Sequence, residues 1–370
     1  MTPTKLLAMQ VSRLSLIGAW LAVAGCATAG PQSGSSNVPW PQQVLLELGP
    51  MPDTTPQRWK GLIGEYGEDS TLRWYALERD RRLWILDHHG NYIPLAERSD
   101  SVFDAPVATA AVSGEASFSR DATGRATSIR VADMVIVRHV IEPPSGANQL
   151  RITPVRPVDE LRPAALAATP PKETGTFKPT DLVELTKLDS TIKLEIRYAG
   201  TNNFLGTRVY DEGRAFLQRP AAEALVKAHR VLRRLGFGIL VHDAYRPWYV
   251  TRIFWDATPD SLRWMVANHA EGSKHNRGAA VDVTLYNVDT GRPVEMPSTY
   301  DESTRRARAD YPGGTSLQRW HRELLRRALV HEGFTANPLE WWHFDYKDWK
   351  SYPIMNVSFD RVPVAPKQTP

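Results

Sequence analysis

Apolar and polar positions change rhythm along this chain, and the change divides it. From about Gln42 to Ile141 the runs are short. Leu72-Arg73-Trp74-Tyr75-Ala76-Leu77 and Arg82-Leu83-Trp84-Ile85-Leu86 mix apolar and polar positions as half-buried strands do. The charged link Glu78-Arg79-Asp80-Arg81 joins them, and Gly90-Asn91 follows as a turn signal. Ala116-Ser117-Phe118-Ser119 and Ser128-Ile129-Arg130-Val131 repeat the pattern around the turn Asp121-Ala122-Thr123-Gly124. Short strands punctuated in this way predict a small all-β domain, a barrel or a sandwich, over residues 42–142.

Residues 143–179 are rich in proline and alanine, with Pro170-Pro171 among them, and read as a linker. Past it the period lengthens. Pro220 begins a predicted helix whose Leu225, Val231, Leu232 and Leu235 share one broad face, and Gly236 ends it. Gly238-Ile239-Leu240-Val241 and Ala280-Val281-Asp282-Val283-Thr284-Leu285 read as strands. A second helix is predicted over about 316–332, with Leu317, Trp320, Leu324, Leu325 and Ala328 inward and Gly333 beyond its end. This order predicts an α+β domain over 180–360, with helices packed on an antiparallel sheet.

A chain of 370 residues has room for two such domains, each with its own core. With 42% apolar and 23% charged residues it is globular in composition. The net charge of +4 is spread thinly, which suits an anionic envelope surface. No Lys/Arg block interleaved with aromatics stands out, which argues against nucleic acid as a partner.

The amino terminus changes the picture more. Lys5 and Arg13 precede an apolar run, Leu14 to Ala24, that is too short to span a bilayer and suits a signal peptide. It closes in Val23-Ala24-Gly25-Cys26, which resembles a bacterial lipobox. That resemblance implies a lipoprotein signal peptide over 1–25, a diacylglycerol on Cys26, and a flexible Gly/Ser-containing tether over 26–41. Anchoring by more than one acyl chain is stable, so the expected location is the cell envelope, lipid-anchored on the periplasmic or cell-surface side. A plain secretory signal is the competing reading. Cys26 is the only cysteine, which excludes an intrachain disulfide and a cysteine nucleophile or zinc ligand.

Three segments place metal-binding or charged side chains where a core is ordinarily apolar. In Ser273-Lys274-His275-Asn276-Arg277-Gly278-Ala279-Ala280-Val281-Asp282, Asp282 interrupts an apolar strand, and a buried carboxylate is costly unless paired or bound to a cation. In Glu340-Trp341-Trp342-His343-Phe344 an acid stands three residues before a histidine among large aromatics. His242-Asp243-Ala244-Tyr245-Arg246-Pro247 puts a charged cluster directly after a buried strand. Any of these alone has a bland explanation: Asp282 pairs with an arginine, or Glu340 is solvated at a turn. The other histidines, His88, His89, His139, His229, His269, His321 and His331, read as ordinary surface or core residues. Together the three segments offer two imidazoles, a carboxylate and a spare carboxylate, the donor set of an open catalytic zinc site.

Ser-x-His-x-x-Gly-x-Ala-x-Asp, a later Glu-x-x-His and an upstream Asp-x-Tyr-Arg-Pro resemble the motifs of the zinc D,D-peptidases. The strongest likeness is to the D-alanyl-D-alanine dipeptidase of the vancomycin-resistance type. The resemblance runs from about Leu182 to Tyr352 and takes in Tyr198-Ala199, Asn203-Phe204, Leu285-Tyr286, Asp289-Thr290-Gly291 and the double tryptophan. It implies that His275, Asp282 and His343 ligate Zn2+, that Glu340 is the catalytic base and that Arg246 stabilises the developing oxyanion. It further implies that Ser273, Tyr198 and Asp301 hold the termini of a small D,D-dipeptide or cell-wall fragment. Asp243 is a candidate to orient Arg246. His242 reads as a packed residue, with a place behind a ligand as the alternative. Residues three apart on a flat strand face opposite ways, so Asn337-Pro338 predicts a bend that lets Glu340 and His343 converge.

One departure bears on the substrate. This chain has Met296-Pro297-Ser298-Thr299-Tyr300-Asp301 where the family tends to read Met-Gly, a small residue, an aromatic and Asp. Proline fixes φ and removes a donor, so a different edge to the pocket is expected. Two alternatives to the dipeptidase stand: a D,D-carboxypeptidase trimming peptidoglycan stem peptides, and a non-catalytic, zinc-containing wall-binding lipoprotein.

Overall fold

In the computed structural model, residues 45, 47–68, 73–109, 112–141 and 151–362 are described. The signal peptide, Cys26 and the tether expected from the sequence lie outside them, as does the start of the proline- and alanine-rich stretch.

The amino-terminal part is built of antiparallel β-sheets, preceded by a one-turn helix, Gln57–Lys60, whose Trp59 joins their core rather than adding a strand. Strands β1 (Gly64–Tyr66), β2 (Trp74–Arg79), β3 (Arg82–Leu86) and β4 (Tyr92–Pro94) form one antiparallel sheet in chain order. Strands β5 (Ala96–Glu97), β6 (Val102–Thr109), β7 (Val112–Arg120), β8 (Ala126–Val131) and β9 (Met134–Val137) form a second. The sheets meet along both margins: Leu95 N–H, between β4 and β5, donates to Leu83 O (2.9 Å), and Gly67 N–H donates to Val137 O (2.8 Å). They enclose a core that includes Leu62, Tyr66, Ile85, Phe103 and Ile129. The link between β2 and β3 is tight, because Asp80 (φ 52°) and Arg81 (φ 62°) both take the left-handed conformation that matches hairpin twist.

β2 departs from the half-buried pattern read from its sequence. Trp74 and Ala76 face the barrel core, while Tyr75 and Leu77 on its other face are also buried, packed with Leu86 and the distant Tyr311. The carboxy-terminal part covers that face.

Within the expected linker, Val158–Ala167 is a helix, and its Val158, Leu161 and Ala165 join the carboxy-terminal core. A proline and several alanines read as a connection, yet Pro163 lies in the helix and Pro157 caps its start.

The carboxy-terminal part is α+β. Strands β10 (Leu182–Glu184) and β12 (Phe216–Gln218) pair with each other. The main sheet has the order β11 (Lys193–Leu194), β13 (Phe237–Asp243), β14 (Ala280–Asn287), β16 (His343–Tyr346), β15 (Phe334–Ala336). It is antiparallel except for β11, which runs parallel to β13 and makes the sheet mixed. The two predicted helices span Arg219–Arg234 and Ser316–His331. The first has proline at its start and bears His229, whose Nδ1 accepts from Ile239 N–H (3.0 Å), fastening helix to sheet. The second is capped by Thr315 and Gln318 in a reciprocal box. Trp248–Ala257 forms a further helix directly after the Arg246-Pro247 segment.

Candidate active site

Register builds the site. Asp282 on β14 stands opposite His343 on β16, and Asp243 at the end of β13 stands opposite Asp282. The second pairing depends on an irregularity. Val241 faces Val283, but the register shifts by one before Asp243. A bulge of this kind re-aims the side chains beyond it, and here it brings the Asp243 carboxylate to the face of the sheet that carries Asp282.

His275 arrives from outside the sheet. It lies in a 3-10 turn, Lys274–Arg277, whose start is capped by the Ser273 hydroxyl accepting from His275 N–H (3.2 Å). Gly278 closes the turn at φ +65°, and a Cβ there would sit 2.5 Å from Leu182. Glycine is therefore required where the chain swings from the His275 turn into β14.

His275, Asp282 and His343 each offer one donor atom, and these lie within 4.8 Å of one another. His275 Nε2 is 3.5 Å from Asp282 Oδ1 and 3.2 Å from His343 Nδ1, which is itself 3.0 Å from Asp282 Oδ1. The remaining polar atoms are occupied. Ala244 O accepts from His275 Nδ1 (2.7 Å), Asp345 Oδ1 accepts from His343 Nε2 (2.9 Å), and Tyr300 OH donates to Asp282 Oδ2 (2.9 Å). Those bonds fix the ring tautomers and leave one lone pair per residue aimed at a common point, the arrangement metal ligands need. Asp345 is held in turn by Lys274 Nζ at 2.5 Å. The donor set fits a divalent transition-metal cation.

The electrostatics agree. Burial alone would raise the Asp282 carboxyl, but His275 and His343 outweigh it and push it well below the ordinary range. Burial would lower His343, yet hydrogen bonds to Asp282 and Asp345 lift it to about 10. A concentrated positive charge at this spot is thus favoured.

Glu340 and His343 converge as the predicted bend requires. Glu340 stands in the turn before β16, with Oε2 3.9 Å from His343 Nδ1 and held by Asn337 Nδ2 (3.0 Å). Burial raises its pKa. Arg246 is buried; its Nε and Nη2 both donate to Asp243 Oδ2 (3.0 and 2.7 Å). Its guanidinium stacks over Phe254 (4.9 Å) and Tyr198 (5.5 Å). Asp243 Oδ1 accepts from Tyr210 OH (2.7 Å), so the carboxylate that orients Arg246 is itself fixed.

His275, Asp282, His343, Glu340 and Arg246 line one cleft of about 420 Å³, together with Ser273, Tyr198 and Asp301. Tyr198 OH donates to Asp301 Oδ2 (2.9 Å), and Asp301 takes φ +60°, rare for a residue with a side chain. Burial, reinforced by Asp282, raises the Asp301 pKa well above the ordinary value. His242 is not a donor to the site: its ring packs on Tyr300 (4.7 Å) and its Nδ1 meets Glu195 O (3.3 Å).

The structure thus brings together every site residue expected within the described part of the chain. Asp345, Lys274, Tyr300 and Tyr210 were missed. Asp345 had a signal, since it stands two positions after His343 and so shares its face of the strand; the others had none in local sequence.

Two imidazoles and a carboxylate that stop one short of a tetrahedral set, opening on a cleft with the Glu340 carboxylate beside them, fit the open metal site of a hydrolase better than a closed structural one. Comparison with known proteins narrows this. Residues 178–363 match the D-ala-D-ala dipeptidase family, and the chain belongs to that family. It is 32% identical over 180 residues to a D-alanyl-D-alanine dipeptidase of Escherichia coli (strain K12), covering 49% of this chain and 92% of that protein. It is 32% identical over 187 residues to the one of Enterococcus faecium (46% and 91%) and 30% identical over 189 residues to one of Streptomyces coelicolor (45% and 92%). The protein is a metallopeptidase of this hydrolase family.

Proposed function

We propose that the protein is a zinc-dependent dipeptidase that hydrolyses D-alanyl-D-alanine or a closely related cell-wall D,D-dipeptide. The observation that carries the reading is the convergence of His275, Asp282 and His343 donors within 4.8 Å, with the Glu340 carboxylate 3.9 Å from the same His343 nitrogen. His275, Asp282 and His343 would hold a zinc ion, which would supply a water of lowered pKa and a Lewis acid for the scissile carbonyl.

The residues of the chain do the rest. Glu340 takes the proton of the attacking water and hands it to the leaving amine, a role for which a carboxylate of raised pKa is suited. Arg246 stays charged because Asp243 more than offsets its burial, and it donates to the oxyanion as the carbonyl becomes tetrahedral. Asp301 receives the free ammonium of the dipeptide, whose charge restores the carboxylate that burial disfavours. Tyr198 orients that carboxylate, and Ser273, capping the His275 turn at the cleft edge, contacts the substrate's other terminus.

The lipobox-like Val23-Ala24-Gly25-Cys26 supports an enzyme that works outside the cytoplasm, held to the envelope by lipid on Cys26, with a released fragment or stem-peptide end as its substrate there. Cys26→Ser should move it from the membrane to the soluble fraction; continued sedimentation with membranes would remove the anchor from this reading.

The test of the activity uses zinc-loaded full-length protein with D-Ala-D-Ala and with an amino-blocked D,D-tripeptide. Release of D-alanine from the dipeptide is expected, and Glu340→Gln should abolish it while zinc stays bound. Preference for the blocked tripeptide would make it a D,D-carboxypeptidase. Zinc binding without hydrolysis of either would make it a binding protein.

A further inference from the structure

The β region lies outside residues 178–363, the part matched to the dipeptidase family, yet it touches the segment that forms one wall of the cleft. That segment leaves the site at Tyr300 and Asp301 and lines the cleft through Glu302, Thr304, Ala307 and Arg308. It then ends against the outer face of β2. Tyr311 closes the apolar cluster of Tyr75, Leu77 and Leu86, meeting the Tyr75 ring edge-on at 5.8 Å.

Beside this cluster Glu78, only 3% exposed, is engaged on every side. Its carboxylate accepts from Ser316 N–H (2.7 Å) and Ser316 Oγ (3.2 Å), while its backbone N–H donates to Gly314 O (3.1 Å) and its carbonyl accepts from Arg319 (2.6 Å). A carboxylate at the first turn of a long helix satisfies a free N–H and complements the helix dipole. The wall also grips the loop that carries Glu340: Trp341 N–H donates to Ala307 O (2.8 Å) and Ala309 N–H to Pro338 O (3.1 Å).

We propose that the β region is a brace for the substrate-side wall, in which Glu78 and the Tyr75–Leu77–Leu86 patch fix the far end of the 301–315 segment and so hold Asp301 and the Glu340 loop ready for the dipeptide. The segment has short 3-10 structure only at Arg305–Ala307 and no sheet partner of its own. Irregular segments of this length open easily unless anchored. Asp301 adds a reason: a side-chain-bearing residue at φ +60° persists only where its surroundings over-determine it. Ordering the wall in advance lowers the cost of binding. Glu78 acts through Ser316 and the segment before it, so it is a positioning residue. The proposal rests on the dipeptidase reading for its kinetic arm.

The experiment compares full-length zinc-loaded wild type with Glu78→Ala, Glu78→Gln and Leu77→Ala. Glu78→Ala should raise KM for D-Ala-D-Ala about fivefold, with kcat lowered less than KM is raised and zinc stoichiometry unchanged, and backbone amides of 301–315 should exchange faster with solvent. Glu78→Gln, which keeps an acceptor for Ser316, should recover most of the KM. Leu77→Ala tests the apolar half of the brace and should also raise KM. Unchanged KM and unchanged 301–315 exchange in folded Glu78→Ala or Leu77→Ala, with only a lower Tm, would overturn the brace. Wild-type protein that hydrolyses nothing overturns the dipeptidase reading instead, and the exchange measurement still decides the brace.

Discussion

His343 and Asp345 lie two positions apart on β16, and the Asp345 carboxylate accepts from His343 Nε2 at 2.9 Å, turning Nδ1 toward Asp282 and His275. Strand periodicity puts both side chains on one face, so the residue that fixes the ligand's tautomer comes from the same short stretch of chain as the ligand.

Removing that partner should weaken the metal without removing a donor. Asp345→Ala is expected to lower zinc affinity by about 10- to 100-fold, read by competition with a chromophoric chelator. It also frees Lys274, now at 2.5 Å from Asp345 Oδ2. Unaltered affinity would mean that the contacts of the ring with Asp282 and His275, not Asp345, set its orientation.

Arg246 offers a planar fork that lies over the adjoining Phe254 and Tyr198 rings, with two donors on Asp243 Oδ2. Lysine keeps the charge beside Asp243 but loses the fork. Arg246→Lys should therefore lower kcat about 100-fold, with zinc content unchanged and KM altered far less. Steady-state kinetics alongside metal analysis separates the two.

Two buried histidines make stability depend on pH. Burial lowers His229 to about 4 and His242 to about 3, from an ordinary 6.5. The unfolded chain takes up these protons near 6.5 and the folded one does not, so their contribution is complete above that pH and shrinks as pH falls toward 4. The slope is about 1.4 kcal/mol per pH unit for each histidine. In denaturant titrations from pH 7.5 to 4.5, His229→Gln should show a shallower decline than wild type. Equal slopes would show that His229 is not held neutral.

Tyr75 carries a buried hydroxyl with no hydrogen-bond partner among the described residues, while its ring packs against Tyr311. Tyr75→Phe keeps the ring and removes the unpaired group, which should stabilise the protein by about 1 kcal/mol and leave KM unchanged. Calorimetric unfolding reads the first and kinetics the second. A clear loss of stability would point to a partner for that hydroxyl in solution.

The sequence by itself determined the parts whose causes are local. Proline in the first turn of the Arg219–Arg234 helix, the Thr315 cap of the Ser316–His331 helix, and glycines at 236 and 333 bound those helices by backbone geometry. The spacing of His275, Asp282, Glu340 and His343 also showed, because buried polar groups stand out against apolar strands. The tertiary structure alone decided what depends on register and on what covers a face. The bulge before Asp243, the pairing of Asp282 with His343, and the hydroxyl of Tyr300 on Asp282 join residues far apart in the chain. So does the second buried face of β2, which looks half-exposed in sequence until Tyr311 packs on it. Periodicity records which way a side chain points along its own strand; which neighbour meets it is set by long-range packing, and no local pattern carries that.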